Sequence, residues 1–128
     1  MMTSKECPFC NLPSERIIHE SIDGFVIRDG YPISPGHTLI IPKEHYSDFF
    51  CMPGNIRQDL MSLIDTAKTR LDVELEPNGY NVGINNGPAA GQTVPHLHIH
   101  LIPRFEGDQN DPRGGVRWIF PERARYWV

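Results

Sequence analysis

The clearest pattern of apolar positions lies near the middle of the chain and has helical spacing. Apolar residues recur every three or four positions, which places them on one face of a helix. They are Ile56, Leu60, Leu63, Ile64, Ala67 and Leu71. Asn55 is the predicted N-cap, with Gln58 three residues further on, and Pro77-Asn78-Gly79 ends the segment. The pattern predicts one long helix.

Short apolar runs separated by turn residues lie on both sides of this helix. The predicted strands are residues 17–19, 25–28, 38–41, 80–85 and 94–103. The turn Asp23-Gly24 separates the first two, and Pro42 stops the third. Strands on either side of one long helix indicate an α+β fold with a mostly antiparallel sheet.

The last predicted strand carries a histidine at every second position, namely His96, His98 and His100. Alternate side chains of a strand share a face, so three imidazoles are predicted to stand in a row about 13 Å long. The intervening leucine and isoleucine side chains would point into the core. No carboxylate lies between Asn86 and Pro103, and the row suits a phosphate chain better than one small ion.

Length and charge narrow the class of protein. The 128 residues predict one domain, 1–128, with a real core. A formal net charge of −4 argues against binding to a nucleic acid polymer. No apolar run approaches the roughly 20 residues that span a bilayer, and residues 1–7 show no signal segment, so we expect a cytoplasmic protein away from membranes. Three cysteines argue against a disulfide framework.

A glycine-rich loop, residues 86–93, precedes the histidine strand. Glycines let successive backbone N–H groups face an anion, and Asn85, Gln92 and Thr93 add neutral donors. Joined directly to the histidines, the loop is a candidate phosphate site. Asp29, after a predicted strand, is either a sugar-binding carboxylate or a turn aspartate.

The N-terminal pair Cys7-x-x-Cys10 has three readings: a redox pair, two buried thiols, or half of a zinc site. A redox pair normally begins a helix, and here Pro13 follows too soon. Two histidines from elsewhere would complete a tetrahedral zinc site, and the spacing does not say which. His37 and His45 flank the third strand and, taken singly, resemble surface histidines.

Together these residues resemble the histidine triad (HIT) superfamily, whose signature His-φ-His-φ-His-φ-φ, with φ apolar, is matched at every position by 96–102. The likeness extends to 35–45, to 85–94 and to Cys7-x-x-Cys10, and is to the Hint-like and fragile-histidine-triad-like branch. Residues 111–117 resemble the tails of bacterial members. The resemblance implies a HIT-like fold with one long helix and a short one. It also implies a zinc-binding segment at about 1–15 and a C-terminal tail at about 106–128.

The resemblance also implies roles at the triad. His98 would attack the α-phosphorus of a nucleotide conjugate and form a nucleotidyl-histidine that water hydrolyses. His100 would bind phosphate oxygens, and His37 would be a further active-site histidine. The implied nucleotide-binding residues are Asp29, Asn85, Gln92, Thr93, His98 and His100. The implied ligands of a structural zinc are Cys7, Cys10, His45 and His96, with no organic cofactor, and members are often homodimers.

The predicted function is hydrolysis of nucleoside phosphoramidates or dinucleoside polyphosphates. One alternative is a nucleotide-binding or signalling module without turnover. Another is a nucleotidyltransferase, although that branch carries glutamine where this chain has His100. A metal hydrolase using the triad as ligands would need a carboxylate that 86–103 lacks.

The tail combines cations with flat apolar rings over residues 113–127. They are Arg113, Arg117, Trp118, Arg123, Arg125, Tyr126 and Trp127. Arginine forks suit phosphate oxygens and aromatic rings stack on bases, so the tail either sets substrate choice or packs over the sheet.

Overall fold

Five antiparallel strands form one sheet in the computed structural model, which describes residues 3–128. The strands are β1 Ile17–Glu20, β2 Gly24–Arg28, β3 Thr38–Pro42, β4 Gly79–Ile84 and β5 Ile99–Arg104. Their order across the sheet is β1-β2-β3-β5-β4. Met1 and Met2, which begin the predicted zinc-binding segment 1–15, lie outside the described residues. The predicted α+β fold is confirmed.

The single long helix, α1, spans Gly54–Leu75 and packs its predicted apolar stripe on the sheet. The stripe residues are buried apart from Ile64, which is partly buried against the same core. The predicted N-cap at Asn55 is wrong: Pro53 is the cap, with no side-chain bond, and its extended backbone (ψ 145°) sets the helix start. The helix ends at Leu75, and its C-cap residue Glu76 has a left-handed backbone and precedes Pro77. The shorter helical segments of residues 3–128 are 3-10 turns at Ser14–Arg16, Phe49–Cys51, Pro88–Ala90, Gly115–Ile119 and Pro121–Arg123.

The histidine strand β5 is shorter than predicted and begins at Ile99. The segment before it leaves the sheet because its polar groups have other partners. The Leu97 N–H donates to the Tyr46 carbonyl at 2.6 Å, and the ring of His96 bonds the Pro42 carbonyl. Beyond Ile99, burial alternates as predicted, with Leu101 inward and His100 on the opposite side.

The two faces of the sheet are covered differently. On one face, α1 packs over a core that includes Ile40 and Ile99. On the other, N-terminal side chains cover only part of the sheet, packing on Leu39 and its neighbours. Every residue of β3 is buried because both of its faces are covered. The part of this second face that stays uncovered carries the candidate site.

None of the helices within residues 3–128 combines the length and the apolar character that crossing a membrane would require.

Candidate functional site

A cavity of about 1410 Å³ lies on the sheet face opposite α1. Its wall brings together residues from five separate segments that the sequence singled out. They are Asp29, His37, Asn85, Thr93, His98 and His100. His98 and His100 face this cavity. His96 lies beside the cavity rather than in its wall, on the same side of the chain as His98, since Phe9 contacts both rings.

The ring of His98 is held by the backbone of its own segment. Its Nδ1 lies 3.0 Å from the carbonyl oxygen of His96, which can only accept a hydrogen bond. Nδ1 therefore carries the proton, and Nε2 keeps a free lone pair in the neutral ring. An imidazole in this tautomer is a nucleophile oriented by its backbone.

A second hydrogen-bond chain fixes the proton positions of the two other cavity histidines. The Ile33 N–H donates to Nδ1 of His37 at 3.2 Å, so Nε2 of His37 carries a proton. That nitrogen lies 2.9 Å from Nδ1 of His100, which accepts. His100 consequently carries its own proton on Nε2 and has one N–H available for an oxyanion.

Electrostatics keep both imidazoles neutral near pH 7. Burial lowers the pKa of His100 to about 4, and repulsion from His98 and His37 adds to this. Burial also lowers the pKa of His37, although the charge of Asp29 opposes the change. Neutral rings preserve the direction of the hydrogen-bond chain.

The carboxylate of Asp29 lies beside the middle of this chain. One oxygen accepts from the Tyr31 N–H at 2.8 Å, and the other lies 3.4 Å from Nε2 of His37. Asp29, His37 and His100 lie close enough together to suggest a metal site. The bond from Ile33 argues against it, because Nε2 of His37 already holds a proton and has no lone pair to give.

The turn before His37 requires a glycine. Gly36 has φ +81°, and a Cβ there would lie 2.6 Å from the Leu75 side chain and 2.8 Å from that of Leu71. The backbone thus approaches the end of α1 closely, and this contact places the start of β3 and its histidine.

Gln92 does not face the cavity, in contrast to the role that the resemblance implied. Its Oε1 accepts from the Gly87 N–H at 2.7 Å, and its amide donates to the carbonyls of Ser47 and Val94. These bonds hold the loop 86–93 in shape. Among its neighbours, Asn85 and Thr93 line the cavity and are the available donors.

A second cluster lies beside the cavity. Its members are Cys7, Cys10, His45 and His96, whose ligand atoms all lie within 4.8 Å of one another. Nδ1 of His96 is 3.3 Å from the sulfur of Cys7, 3.4 Å from that of Cys10 and 3.2 Å from Nδ1 of His45. Tetrahedral zinc places nitrogen and sulfur ligands about 3.4–3.6 Å apart. The four residues therefore fit a closed Cys₂His₂ metal site.

The surroundings of the cluster favour a cation. The His96 Nε2–H donates to the Pro42 carbonyl at 2.8 Å, so Nδ1 offers its lone pair to the cluster. Burial, reinforced by the neighbouring Cys7, raises the pKa of the Cys10 thiol to about 11. Two adjacent thiolates need a compensating positive charge, which a bound metal ion would supply.

The arginines of the tail differ in the groups that they contact. Arg113 pairs with Asp111 through two nitrogens, and Arg117 donates to the Ala124 and Arg123 carbonyls. Arg123 is exposed away from the cavity, whereas Arg125 lines it. Trp118 also lines the cavity, and Trp127 instead stacks under Arg113 at 4.8 Å. Arg125 and Trp118 are therefore the tail residues at the cavity, and whether the tail sets substrate choice or serves packing stays a prediction.

Two groups that shape the site could not be identified from the sequence. The Ile33 N–H fixes the His37 tautomer, and no sequence pattern indicates which backbone N–H makes such a bond. Phe9 contacts the ring of His98, although the sequence pattern assigns Phe9 no role. Its position inside Cys7-x-x-Cys10 was the one available hint.

Comparisons with known proteins agree with this geometry. The family model described as HIT domain matches residues 12–107. An uncharacterized HIT-like protein of Methanocaldococcus jannaschii is 38% identical over 80% of this chain and 81% of its own. The adenosine 5′-monophosphoramidase HNT1 of Candida albicans is 35% identical over 92% of this chain and 81% of its own.

A zinc-bound histidine triad family protein from Mycobacterium smegmatis has a similar solved structure. Its TM-score is 0.76 at 33% identity, covering 85% of this chain and 82% of that one. The fold, the paired cavity histidines and the sequence matches lead to one conclusion: this chain belongs to the HIT domain family.

Proposed function

We propose that the protein hydrolyses nucleoside phosphoramidates or dinucleoside polyphosphates at the α-phosphorus, through a nucleotidyl-His98 intermediate. The observation that carries this is the bond between Nδ1 of His98 and the His96 carbonyl. It leaves Nε2 as a neutral nucleophile in a cavity large enough for a nucleotide and its leaving group.

In the first step, the Nε2 lone pair of His98 forms a bond to the α-phosphorus. The P–N or P–O bond to the leaving group breaks, and that group departs with the electron pair and a proton from the medium. In the second step, water attacks the same phosphorus and loses a proton to the medium. The P–N bond to His98 breaks, and its electron pair returns to Nε2. A nucleoside monophosphate and the original imidazole remain.

The neighbouring histidine stabilises charge in both steps. The Nε2–H of His100 donates to a non-bridging oxygen as negative charge builds up on the phosphoryl group. His37 orients that ring through the 2.9 Å bond to its Nδ1. Asn85 and Thr93 add donors at the cavity wall, and Asp29, which also lines the cavity, would accept from ribose hydroxyls.

We also propose that Cys7, Cys10, His45 and His96 hold one structural zinc. A bound Zn²⁺ would supply charge compensation and a crosslink, since four protein ligands leave no open position for chemistry. It would tie the N-terminal segment to the chain that leads into β5. The zinc-bound relative supports the choice of metal.

The size of the cavity bears on the substrate. Its volume of about 1410 Å³ exceeds the usual range for one small ligand, about 300–1000 Å³. The Candida albicans monophosphoramidase supports an adenosine conjugate, and the extra room suits a bulky leaving group. A homodimer and a cytoplasmic location remain predictions, the latter consistent with three free cysteines.

The decisive experiment is chemical trapping of the intermediate. The protein is mixed with adenosine 5′-phosphoramidate, quenched in denaturant at alkaline pH and digested for mass spectrometry. One adenylyl group on His98 is expected. A control variant, His19→Ala, alters an exposed histidine of β1 and should label normally. Nucleotide binding with no label and no turnover would favour the signalling-module alternative. Transfer of the group to an added acceptor faster than to water would favour a transferase.

A further inference from the structure

Phe9 connects the Cys/His cluster to the cavity. Its ring lies 5.2 Å from the ring of His98 at an interplanar angle of 64° and 5.9 Å from the ring of His96 at 84°. Both contacts are edge-to-face, an arrangement that aromatic rings prefer. Phe9 also lines the cavity, so it lies directly beside the candidate nucleophile.

The ring of His98 needs more than one support. The hydrogen bond from Nδ1 fixes one edge, but rotation about the Cβ–Cγ bond of histidine has a broad energy profile. His98 lies between two other rings, Phe9 on one side and His100 at 5.1 Å. Packing against both rings restricts the tilt that the hydrogen bond alone would allow.

Phe9 is itself held from two directions. Its ring packs on the apolar cluster of Ile27, Leu39 and Ile41. Its backbone lies between Cys7 and Cys10, whose sulfurs converge on His96 and on His45. The Cys10 N–H also donates to the sulfur of Cys7 at 3.3 Å, which closes the loop around Phe9. A side chain fixed in this way can restrict the movement of the ring that it contacts.

We propose that Phe9 is a positioning residue for His98, holding its imidazole at the angle that directs Nε2 to the α-phosphorus. This rests on the proposed function. Displacement of a nucleophile by about 1 Å can lower a rate about 100-fold, so a packing contact of this kind is sufficient to control the chemical step.

The kinetic test compares Phe9→Ala, Phe9→Leu and the matched control Leu12→Ala. Leu12 packs on the same apolar cluster, yet it does not line the cavity. Single-turnover labelling of His98 by adenosine 5′-phosphoramidate gives the rate of the chemical step, and AMP titration gives the nucleotide Kd. Phe9→Ala should slow labelling by about 10- to 100-fold and change Kd by less than about 3-fold. Phe9→Leu should recover part of the rate, and Leu12→Ala should stay within about 2-fold of wild type.

A second measurement does not depend on activity. Relaxation of ¹³C-labelled histidine rings in the intact protein reports the order of the His98 side chain. That ring should be rigid in wild type and Leu12→Ala, more mobile in Phe9→Ala, and intermediate in Phe9→Leu. The relaxation measurement applies to whichever Phe9 variant stays folded.

Two results would overturn the proposal. One is labelling by both Phe9 variants at the rate of Leu12→Ala with an equally ordered His98 ring. The other is a loss explained wholly by weaker AMP binding, which would make Phe9 a substrate contact. Absence of label in wild type would reject the proposed function instead, and ring order would still test the contact.

Discussion

Nε2 of His37 lies 2.9 Å from Nδ1 of His100, and the N–H of His37 donates a hydrogen bond to the nitrogen of His100. The direction of this bond is set from outside the pair, by the Ile33 N–H at Nδ1 of His37. Protonation of His100 would add a proton to its Nδ1. That new N–H would face the Nε2–H of His37, and the hydrogen bond between the two rings would break. The arrangement therefore works only while His100 is neutral.

This pair predicts a pH dependence of stability. An unfolded histidine titrates near 6.5, whereas burial lowers the pKa of His100 to about 4. Between these values the unfolded chain binds a proton that the folded chain does not, so the free energy of unfolding falls as the pH is lowered. The two pKa values correspond to roughly 2 kcal/mol between pH 7 and pH 5, which solvent screening of the half-buried ring reduces. Urea unfolding at these two pH values should therefore show a loss about 1–2 kcal/mol smaller in His100→Gln than in wild type. The exposed control His19→Gln should keep the wild-type loss, and equal losses in all three proteins would contradict the assignment.

Replacement of His98 by alanine should abolish turnover. Removing a covalent nucleophile removes the reaction path, so we expect a loss of at least roughly 10³-fold in kcat. Nucleotide binding should persist, because Asp29, Asn85 and Thr93 remain at the cavity wall. Steady-state hydrolysis and AMP titration measure the two effects. Wild-type turnover in His98→Ala on every phosphoramidate and dinucleoside polyphosphate tested would refute the nucleophile.

Loss of either N-terminal cysteine should release the metal. Wild type should contain one zinc per chain, whereas Cys7→Ser and Cys10→Ser should bind less than half as much. Their melting temperatures should fall by roughly 10 °C, corresponding to about 3 kcal/mol of lost crosslinking. Cys51→Ser is the matched control, since Cys51 is exposed outside the cluster. Elemental analysis and thermal unfolding provide the test, and chelated wild type that melts unchanged would contradict it.

Arg125 should influence substrate choice, because it is the tail arginine whose side chain lines the cavity. Arg125→Ala should lower kcat/KM for diadenosine tetraphosphate by about 10-fold and change that for the phosphoramidate by less than 3-fold. Arg123→Ala, exposed away from the cavity, should leave the ratio of the two unchanged. Comparison of the two rates in each variant is the measurement.

Shortening the chain after Asp111 tests the tail as a whole. The two substrate rates should change by different factors while His98 remains labelled. Equal loss of both rates together with unfolding would assign the tail to packing, the role already visible in the stacking of Arg113 on Trp127.

Local periodicity determined the regular elements. The stripe from Ile56 to Leu71 predicts α1 because helical spacing is a property of a single segment. The alternation of Ile99, His100 and Leu101 likewise survives in β5, since a strand places successive side chains on opposite faces wherever it lies. The HIT signature extended the prediction from single elements to the whole fold, because the signature is a pattern that the members of one family share.

Contacts between distant segments determined the rest. His96 lies in the Cys/His cluster beside the cavity because Pro42 and Tyr46, about 50 residues earlier, bind its ring and the next backbone N–H. Gln92 turns from the cavity because Gly87 and Ser47 occupy its amide. The sequence alone supplied the residue types and their faces. The resemblance also implied the two histidines that lie with the cysteines, His45 and His96. Which proton each ring carries and what packs on His98 depend on contacts that only the folded chain brings within reach.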